Sequence, residues 1–232
     1  MKNNLKIVVN IIATNKYIFF LDKLIPSIEN FFLPSVSKTY LIHTDQEDIK
    51  IEGDHIIHKV DHNPWPSSTL HRFKFFNECE EIISNYDYSF YIDADSLFVG
   101  QINPEDILSN IIGTLHPYLG NGEGTPERNP NSTAYITNGE SNQYFCGGFF
   151  GGISSEFLNL SRTIESNINK DLKNGIIAIW HDESHLNRYF LNNTPTLILP
   201  LGYAADENHK HDHSKIFFLD KRKYGGFEYF RN

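Results

Sequence analysis

This sequence predicts an α/β fold with a largely parallel sheet. In the first half of the chain, short apolar runs alternate with segments that carry an apolar stripe at helical spacing. Such alternation favours parallel strands joined by helices. Hydrophobic residues make up 40% of the 232 residues, which is enough to bury a proper core. No linker separates two parts of the chain, so we expect a single domain over 1–232.

The first half alternates strands with helices. Each predicted strand is a short apolar run with β-branched or aromatic residues. A helix over about 67–85 begins with Ser67 and Ser68, which are good capping residues. The predicted strands are 5–13, 39–43, 55–60 and 88–92, and the other helix covers 17–31.

The second half is predicted to be less regular. Residues 117–131 are rich in Gly, Pro and Asn and form a long loop, and loops of this length are usually functional. Residues 145–152 contain four glycines, which predicts a strand or bulge that something approaches closely. The remaining predicted elements are strands over 111–116, 196–199 and 215–219 and helices over about 154–174 and 178–191.

Charge and cysteine content exclude several classes. The net charge is −9 and the chain lacks a long basic run, so we expect no nucleic-acid partner. Two cysteines do not make a disulfide framework, and two free thiols are typical of a reducing cytoplasm. The apolar run near the start is strand-length, without a signal-peptide pattern. We therefore expect a cytoplasmic protein without a membrane span.

Two aspartates follow the predicted strand over 88–92. Asp93 and Asp95 are separated by one small residue, so both can point to one place beyond the strand end. Adjacent carboxylates repel unless a cation lies between them, and a hard divalent ion that binds substrate phosphates fits best. A strand-end turn with two solvated aspartates explains this motif equally well.

A dense polar cluster, Trp180-His181-Asp182-Glu183-Ser184-His185, lies near a predicted helix start. Acidic groups are favoured there by the helix dipole, and capping by Asp182 explains part of the cluster. His181 and His185 have the spacing of a zinc protease, but the Glu that should directly follow the first His is absent. The His-rich tract 209–213 is more typical of a solvated loop than of a metal site.

Trp65 and Arg72 are ambiguous by themselves. Trp65 stands between two prolines and could be a hydrophobic staple, and Arg72 could be a surface cation. Beside a phosphate site, an aromatic plane and an arginine fork could instead hold a nucleotide.

Several motifs in order along the chain resemble glycosyltransferase family 6, the family of the histo-blood-group A and B transferases and α1,3-galactosyltransferase. The resemblance covers nearly the whole chain, and its last motif is highly specific. It implies a GT-A glycosyltransferase fold, with a Rossmann-like nucleotide-sugar-binding half over about 1–100 and an acceptor-binding half with a closing tail over about 101–232. The motifs are Trp-Pro at 65–66 with Arg72, Asp-Ala-Asp at 93–95, Gly-Thr-Leu-His-Pro at 113–117, Ala-Tyr-Ile at 134–136, Gly-Gly-Phe-Phe-Gly-Gly at 147–152 and Trp-His-Asp-Glu-Ser-His-Leu-Asn at 180–187.

The resemblance also implies an activity and a set of residues. The family transfers galactose or N-acetylgalactosamine from a UDP donor, with retention, to the 3-OH of a galactoside. Asp93 and Asp95 would hold Mn²⁺ (or Mg²⁺) against the diphosphate, and Glu183 would be the catalytic carboxylate and also contact the acceptor. Further donor-site residues would be Ile12, Ala13, Thr14, Tyr17, Trp65, Arg72, Ala94, Cys146, Gly147, Gly148 and Asp182, with Lys221, Lys223 and Arg231 from the tail. Acceptor residues would be His116, Thr125, Trp180 and Asp206.

Departures from the family pattern refine these expectations. The anchor and stem of the vertebrate enzymes have no counterpart here, which indicates a bacterial or phage type. Many bacterial members carry Asn-x-Asn and work without metal, whereas both aspartates are present here and favour metal dependence. At the donor-selecting triplet Cys146-Gly147-Gly148, a Gly in third place would leave room for an acetamido group. We therefore expect UDP-GalNAc over UDP-Gal, with some leakage.

The acceptor expected from the resemblance is a galactose-terminated oligosaccharide, with Fucα1,2Gal as the best candidate. Two other functions remain open. Aromatic residues such as Trp65 and Trp180 near acidic groups would also suit a galactoside-binding, lectin-like module, although such a module does not need both the Asp pair and Glu183. A metal-dependent hydrolase of nucleotide sugars would release UDP without an acceptor.

Overall fold

The computed structural model describes residues 5–208 and 212–231, so His209, Lys210 and His211 of the His-rich tract and the side chain of Arg231 lie outside the described residues. Its largest element is a seven-stranded sheet with the order β3-β2-β1-β4-β7-β6-β8. The strands are β1 (Ile7–Ile12), β2 (Lys38–Thr44), β3 (Asp54–Lys59), β4 (Tyr88–Ile92), β6 (Ile111–Leu115), β7 (Phe145–Ile153) and β8 (Leu197–Leu199). In these ranges no helix is long and apolar enough to cross a bilayer.

The first four strands along the chain pair in parallel, which confirms the predicted α/β class. Their ends therefore meet at one edge of the sheet, where ligands of such sheets usually bind. The glycine-rich strand β7 runs antiparallel between β4 and β6, and β8 is parallel to β6. One sheet thus continues through both halves of the chain.

Two helices expected from the sequence are divided in the structure. The segment 17–31 begins as a 3₁₀ helix over 15–20 before α1. The segment 67–85 becomes α2, α3 and α4. The boundary between α3 and α4 falls at Cys79, where the chain tightens and the N–H donates to the carbonyl of Phe76 three residues earlier. The helices are α1 (Leu21–Phe31), α2 (Ser67–Leu70), α3 (Arg72–Glu78), α4 (Glu80–Ile83), α5 (Pro104–Ile107), α6 (Ser154–Lys173), α7 (His181–Asn192) and α8 (Phe227–Arg231).

A second, three-stranded sheet was not predicted as a unit. It contains β5 (Ser96–Phe98), β9 (Ala205–Asp206) and β10 (Ile216–Phe218), in the order β5-β10-β9. Directly after β10, the Leu219 N–H donates to the Asp95 carbonyl at 2.8 Å. This sheet therefore brings the C-terminal segment to the turn that carries the Asp pair.

The core consists of two apolar layers, one on each face of the main sheet. Along β1, Val8 packs in one layer and Val9 in the other, and both are fully buried. A smaller cluster of Phe20, Leu219 and Phe230 holds the C-terminal segment against the 3₁₀ helix over 15–20. The C-terminal segment is thereby held close to the edge of the main sheet that carries the polar residues.

Candidate active site

Two adjoining cavities of about 220 and 180 Å³ lie beyond the carboxyl ends of the parallel strands. Both are bordered by Thr69, Arg72 and Asp93, so they form one continuous cleft. The first is also lined by Ile12, Thr14, Tyr17, His62, Trp65, Ser68, Tyr91, Ala94, Asp95, Lys221, Phe227 and Phe230. The second is also lined by Gly147, Gly148, Trp180, His181, Asp182 and Glu183.

Asp93 and Asp95 lie in the turn between β4 and β5. The turn is fixed because the Asp93 N–H donates to the Gly148 carbonyl at 2.9 Å and the Ser96 N–H to the Asp93 carbonyl at 3.1 Å. Burial raises the pKa of Asp93, Arg72 opposes this rise and the carboxylate of Asp95 adds to it. Two hard oxygen ligands that face one cavity and repel each other fit a divalent cation.

Arg72, in the first turn of α3, joins the two walls of the cleft. Its Nη2 lies 3.2 Å from Oδ1 of Asp93, and its Nη1 lies 3.0 Å from Oδ2 of Asp182. Its Nη1 also donates to the Gly147 carbonyl, and its guanidinium lies 4.3 Å from the centre of the Tyr91 ring. A buried arginine with two carboxylate partners is held rigidly, which fixes the distance between the walls.

Helix α7 carries the opposite wall. It begins at His181, whose φ of 51° lies in the left-handed region that non-glycine residues rarely adopt. This turn directs Asp182 and Glu183 into the cleft, where Oε2 of Glu183 accepts a hydrogen bond from the Gly147 N–H at 2.8 Å. Other residues of the motif are structural, since Ser184 caps the Trp180 N–H and Asn187 bonds both backbone groups of Phe145.

Both acidic groups of α7 have raised pKa values. Burial in the cleft raises the pKa of Glu183 to about 7, and the hydrogen bond from Gly147 opposes this rise. Burial likewise raises the pKa of Asp182 to about 6, although Arg72 opposes the change. Carboxylates that titrate near neutral pH in a cleft are typical of catalytic sites.

The three residues predicted to select the donor, Cys146, Gly147 and Gly148, lie at the start of β7 and face different surroundings. A Cβ added to Gly147 would lie 3.1 Å from Nη1 of Arg72, so this glycine borders the cleft. A Cβ added to Gly148 would instead clash with the Phe218 ring and lie 2.9 Å from Oδ2 of Asp93. Gly148 borders the second cavity, and the Phe218 ring lies on the side where a larger residue at 148 would point, so the role of this glycine in donor choice stays a prediction. Cys146 is buried and does not line either cavity.

The predicted donor-site residues of the C-terminal tail do not all lie at the cleft. Nζ of Lys221 forms an ion pair with Oδ2 of Asp95 inside the first cavity. Burial acts to lower the pKa of Lys221, but Asp95, Tyr17 and Asp93 together raise it, and the net shift is upward. Lys223 lies 2.9 Å from Oε1 of Glu207 and does not line the cleft. The side chain of Arg231 lies outside the described residues.

The predicted donor-site residues from the first half of the chain lie at the far end of the first cavity. Ile12, Thr14 and Tyr17 line it, whereas Ala13 is buried behind them and its N–H donates to the His43 carbonyl at 2.9 Å. Trp65 is 44% exposed, with its ring edge-on to His181 at 4.8 Å between centroids. An exposed aromatic ring at a cavity mouth can stack on a planar base.

The acceptor candidates form a path leading away from Glu183. Trp180 is 46% exposed at the cleft mouth. The ring of His116 lies between those of Tyr144 and Tyr118, at 5.7 and 6.1 Å, and the Tyr118 hydroxyl donates to Asp206 at 2.6 Å. Thr125, which is exposed, lies next to Tyr144.

Some residues of the site were not singled out from the sequence. The Tyr91 hydroxyl donates to Oδ1 of Asp93 at 2.5 Å, and its position two residues before the Asp pair on β4 could have indicated this. Tyr144 is buried next to Glu183, and its hydroxyl has no well-directed hydrogen-bond partner among the described residues. Phe218 reaches the site only through the second sheet. No local pattern in the sequence marks Tyr144 or Phe218.

Comparison with known proteins agrees with this geometry. The model of glycosyltransferase family 6 matches residues 1–221. The chain belongs to glycosyltransferase family 6. The α/β fold with its mixed seven-stranded sheet is therefore of the GT-A type.

Individual relatives of this family 6 member are similar over most of its length. Histo-blood group ABO system transferase 1 of Rattus norvegicus is 32% identical over 88% of this chain, and the chain spans 62% of that relative. O-antigen biosynthesis glycosyltransferase WbnI of Escherichia coli is 32% identical over 93% of this chain and 96% of its own length. Globoside alpha-1,3-N-acetylgalactosaminyltransferase 1 of Gallus gallus is 30% identical over 89% of this chain and 64% of its own length.

Proposed function

We propose that this chain transfers N-acetylgalactosamine, and less readily galactose, from a UDP donor to the 3-OH of a galactoside, with retention and an α1,3 linkage. The observation that carries this proposal is the contact of Arg72 with both Asp93 and Asp182. It puts the Asp pair and the acidic start of α7 on opposite walls of one cleft. A relative named as an α-1,3-N-acetylgalactosaminyltransferase supports the choice of sugar and linkage.

The Asp pair suits a divalent cation bound to a diphosphate. Asp93 and Asp95 would hold Mn²⁺ or Mg²⁺, which when bound supplies Lewis-acid stabilisation of the leaving diphosphate. Among the described residues, Lys221 and Arg72 are the cations paired with the two aspartates. They would stabilise the charge that grows on UDP as the anomeric C–O bond breaks.

The nucleotide half would bind the base and ribose. In this proposal uridine lies in the first cavity against Ile12, Thr14 and Tyr17, with Trp65 at the mouth. Residues 1–100 would then hold the nucleotide, and residues 101–232 would supply the acceptor contacts and the closing tail.

Glu183 would face the reacting sugar. A sugar that loses its leaving group becomes oxocarbenium-like, and a carboxylate on the opposite face stabilises or attacks that cation. The hydrogen bond from Gly147 holds Oε2 of Glu183 in the second cavity, and Asp182 would bind donor-sugar hydroxyls. A covalent intermediate and a front-face reaction both need this carboxylate ionised.

The acceptor would lie along Trp180, His116, Thr125 and Asp206. An exposed tryptophan stacks well on the apolar face of galactose, and His116 and Asp206 offer polar groups for its hydroxyls. We expect a fucosylated galactose, Fucα1,2Gal, as the terminal unit.

UDP release with matched substrates tests the function. Purified protein is mixed with UDP-GalNAc or UDP-Gal, Mn²⁺ and an acceptor panel that includes Fucα1,2Gal, and product linkage is determined by NMR. We expect UDP release that requires the acceptor and an α1,3 product. Release without acceptor would indicate a hydrolase instead, and galactoside binding without any UDP release would indicate a lectin-like module.

A further inference from the structure

A second group of metal-binding side chains lies away from the catalytic cleft. His43 and His58 are direct neighbours in the paired strands β2 and β3, and Cys79 follows α3. One ring nitrogen of each histidine and Sγ of Cys79 lie within 4.8 Å of one another. Imidazole nitrogen and cysteine sulfur are the ligands that zinc prefers in proteins.

The histidine pair leaves one nitrogen without a partner. Nδ1 of His43 lies 3.0 Å from Nδ1 of His58, so one of these atoms must be the donor and the other the acceptor. His43 is fully buried, and its Nε2 has no hydrogen-bond partner among the described residues. A metal ion on the two Nδ1 atoms would replace the close contact between them and leave the ring protons on the Nε2 atoms.

The spacing is close to that of a real metal site. With zinc–nitrogen bonds of about 2.0–2.1 Å and a zinc–sulfur bond of about 2.3 Å, tetrahedral ligands lie about 3.3–3.6 Å apart. The observed separations of 3.0 Å between the nitrogens and at most 4.8 Å within the group bracket these values. The ligand atoms therefore have separations close to those that one shared ion requires.

The surroundings support such a site. Phe75 and Phe76 pack against the His43 ring, with centroids at 6.0 and 5.6 Å, and keep that side dry. Oε2 of Glu78 lies 3.7 Å from Nε2 of His58, where a carboxylate can orient the ring so that Nδ1 faces the group. Because β3 is an edge strand and His58 is partly exposed, an ion can enter from solvent.

We propose that His43, His58 and Cys79 bind one structural Zn²⁺ ion, separate from the cation expected at the Asp pair. On binding, the Cys79 thiol releases its proton to solvent and both imidazoles bind in the neutral form. The ion ties the ends of β2 and β3 to the junction of α3 and α4. The His43 carbonyl accepts a hydrogen bond from the Ala13 N–H, so the ion would also be linked through His43 to the end of β1 beside the first cavity.

Cobalt spectroscopy on the full chain tests this site without measuring activity. Chelator-treated protein is titrated with Co²⁺, and we expect a thiolate-to-cobalt charge-transfer band that saturates at one equivalent and disappears when Zn²⁺ is added. Zn²⁺ should also raise Tm, by roughly 5–10 °C when free zinc is about 100 times Kd. Wild-type protein with no charge-transfer band would overturn the proposal.

Matched variants assign the site. Cys79→Ser should lose the band, whereas Cys146→Ser, which removes the other buried free cysteine, should keep it. Asp93→Asn/Asp95→Asn should also keep it, which separates this site from the Asp pair. A band that persists in Cys79→Ser or is lost in Cys146→Ser would contradict the assignment.

A milder variant guards against misfolding of Cys79→Ser. His58→Gln changes a partly exposed side chain on the edge strand, so we expect the fold to tolerate it. It should weaken Zn²⁺ binding by about 100-fold or more, because it removes a direct ligand. Unchanged zinc affinity in this variant would exclude His58 from the site.

Discussion

Lys221 and Asp95 form an ion pair inside the cleft although 126 residues separate them in the chain. The pair exists because β10 joins β5 and because Leu219 is bonded to the Asp95 carbonyl. In this arrangement the Lys221 ammonium is paired with Oδ2 of Asp95, an oxygen that a divalent cation at the Asp pair would compete for. We therefore expect Lys221 to move from Asp95 to the diphosphate when donor and metal bind.

The variant Lys221→Ala tests this exchange. Without Lys221, Asp95 loses its competing cation, so Mn²⁺ should bind several-fold more tightly in the absence of nucleotide, as measured by titration calorimetry. The kcat/KM for the donor should fall by about 100-fold, because a charge on the leaving group is lost. Lys223→Ala is the matched control, since Lys223 pairs with Glu207 outside the cleft, and both values should stay near wild type.

Glu183→Gln should abolish most of the activity while keeping the donor site. The amide is nearly the same size and can still accept the Gly147 N–H, but it cannot stabilise a positive sugar by charge. We expect kcat to fall by roughly 10³-fold or more and the Kd for UDP to change little. A variant with near-normal kcat would remove Glu183 from its proposed role.

Activity should depend on pH through Glu183. Burial raises its pKa to about 7, and the proposed role needs the ionised form. Thus kcat should rise with pH and level off above about 7. A profile that is flat between pH 5 and 9 would contradict this role.

The raised pKa of Glu183 also makes the free energy of unfolding depend on pH. Because the folded-state pKa of Glu183 is raised above its unfolded value, the folded state binds more protons than the unfolded state between about pH 4.5 and 7. Stability is therefore lost as pH rises through this window, by roughly 1–3 kcal/mol after allowance for the solvent that reaches the cleft. Glu183→Gln should be more stable than wild type at pH 8, and the difference should shrink at pH 5 in thermal unfolding.

Donor choice should depend on Phe218 as well as on Gly148. A methyl group at 148 would meet the Phe218 ring and Asp93, so Gly148→Ala should push that ring or the carboxylate aside. We expect the preference for UDP-GalNAc over UDP-Gal in kcat/KM to fall by about 10–200-fold. Phe218→Leu, added to Gly148→Ala, should restore part of the preference. An unchanged ratio in Gly148→Ala would dissociate this position from donor selection, and a wild-type preference for UDP-Gal would rule out the proposed donor.

Two segments should become more protected when donor binds. The tail already packs on the 3₁₀ helix over 15–20, with the rings of Phe230 and Phe20 at 5.0 Å. In the loop over 117–131, Glu127 is anchored by the Ile179 N–H at 2.6 Å. Hydrogen exchange should therefore slow most in 221–231 and in 117–126 when UDP and Mn²⁺ are added. Equal exchange with and without these ligands would argue against closure over the donor.

Much of the site was accessible from the sequence because its residues sit in local patterns. The apolar run before Asp93 predicts a strand, and the parallel class then predicts that its end carries ligands. The helix start around Glu183 follows from the apolar spacing after it, although the predicted helix began at 178 and α7 begins at His181. The sequence pattern did not predict that the segment 67–85 is divided into three helices, because tertiary packing overrides local helix preference there.

The sequence alone determined the α/β class, the order of most strands and helices, the Asp pair, the acidic start of α7 and, through its motifs, family 6. These features depend on residue periodicity and on short spacings, and both can be read directly from the sequence. Only the tertiary structure decided that Lys221 meets Asp95, that Phe218 lies against Gly148, that Tyr144 lies beside Glu183 and that His43, His58 and Cys79 converge. Such contacts join distant segments, and they depend on strand register and packing, which no local spacing specifies.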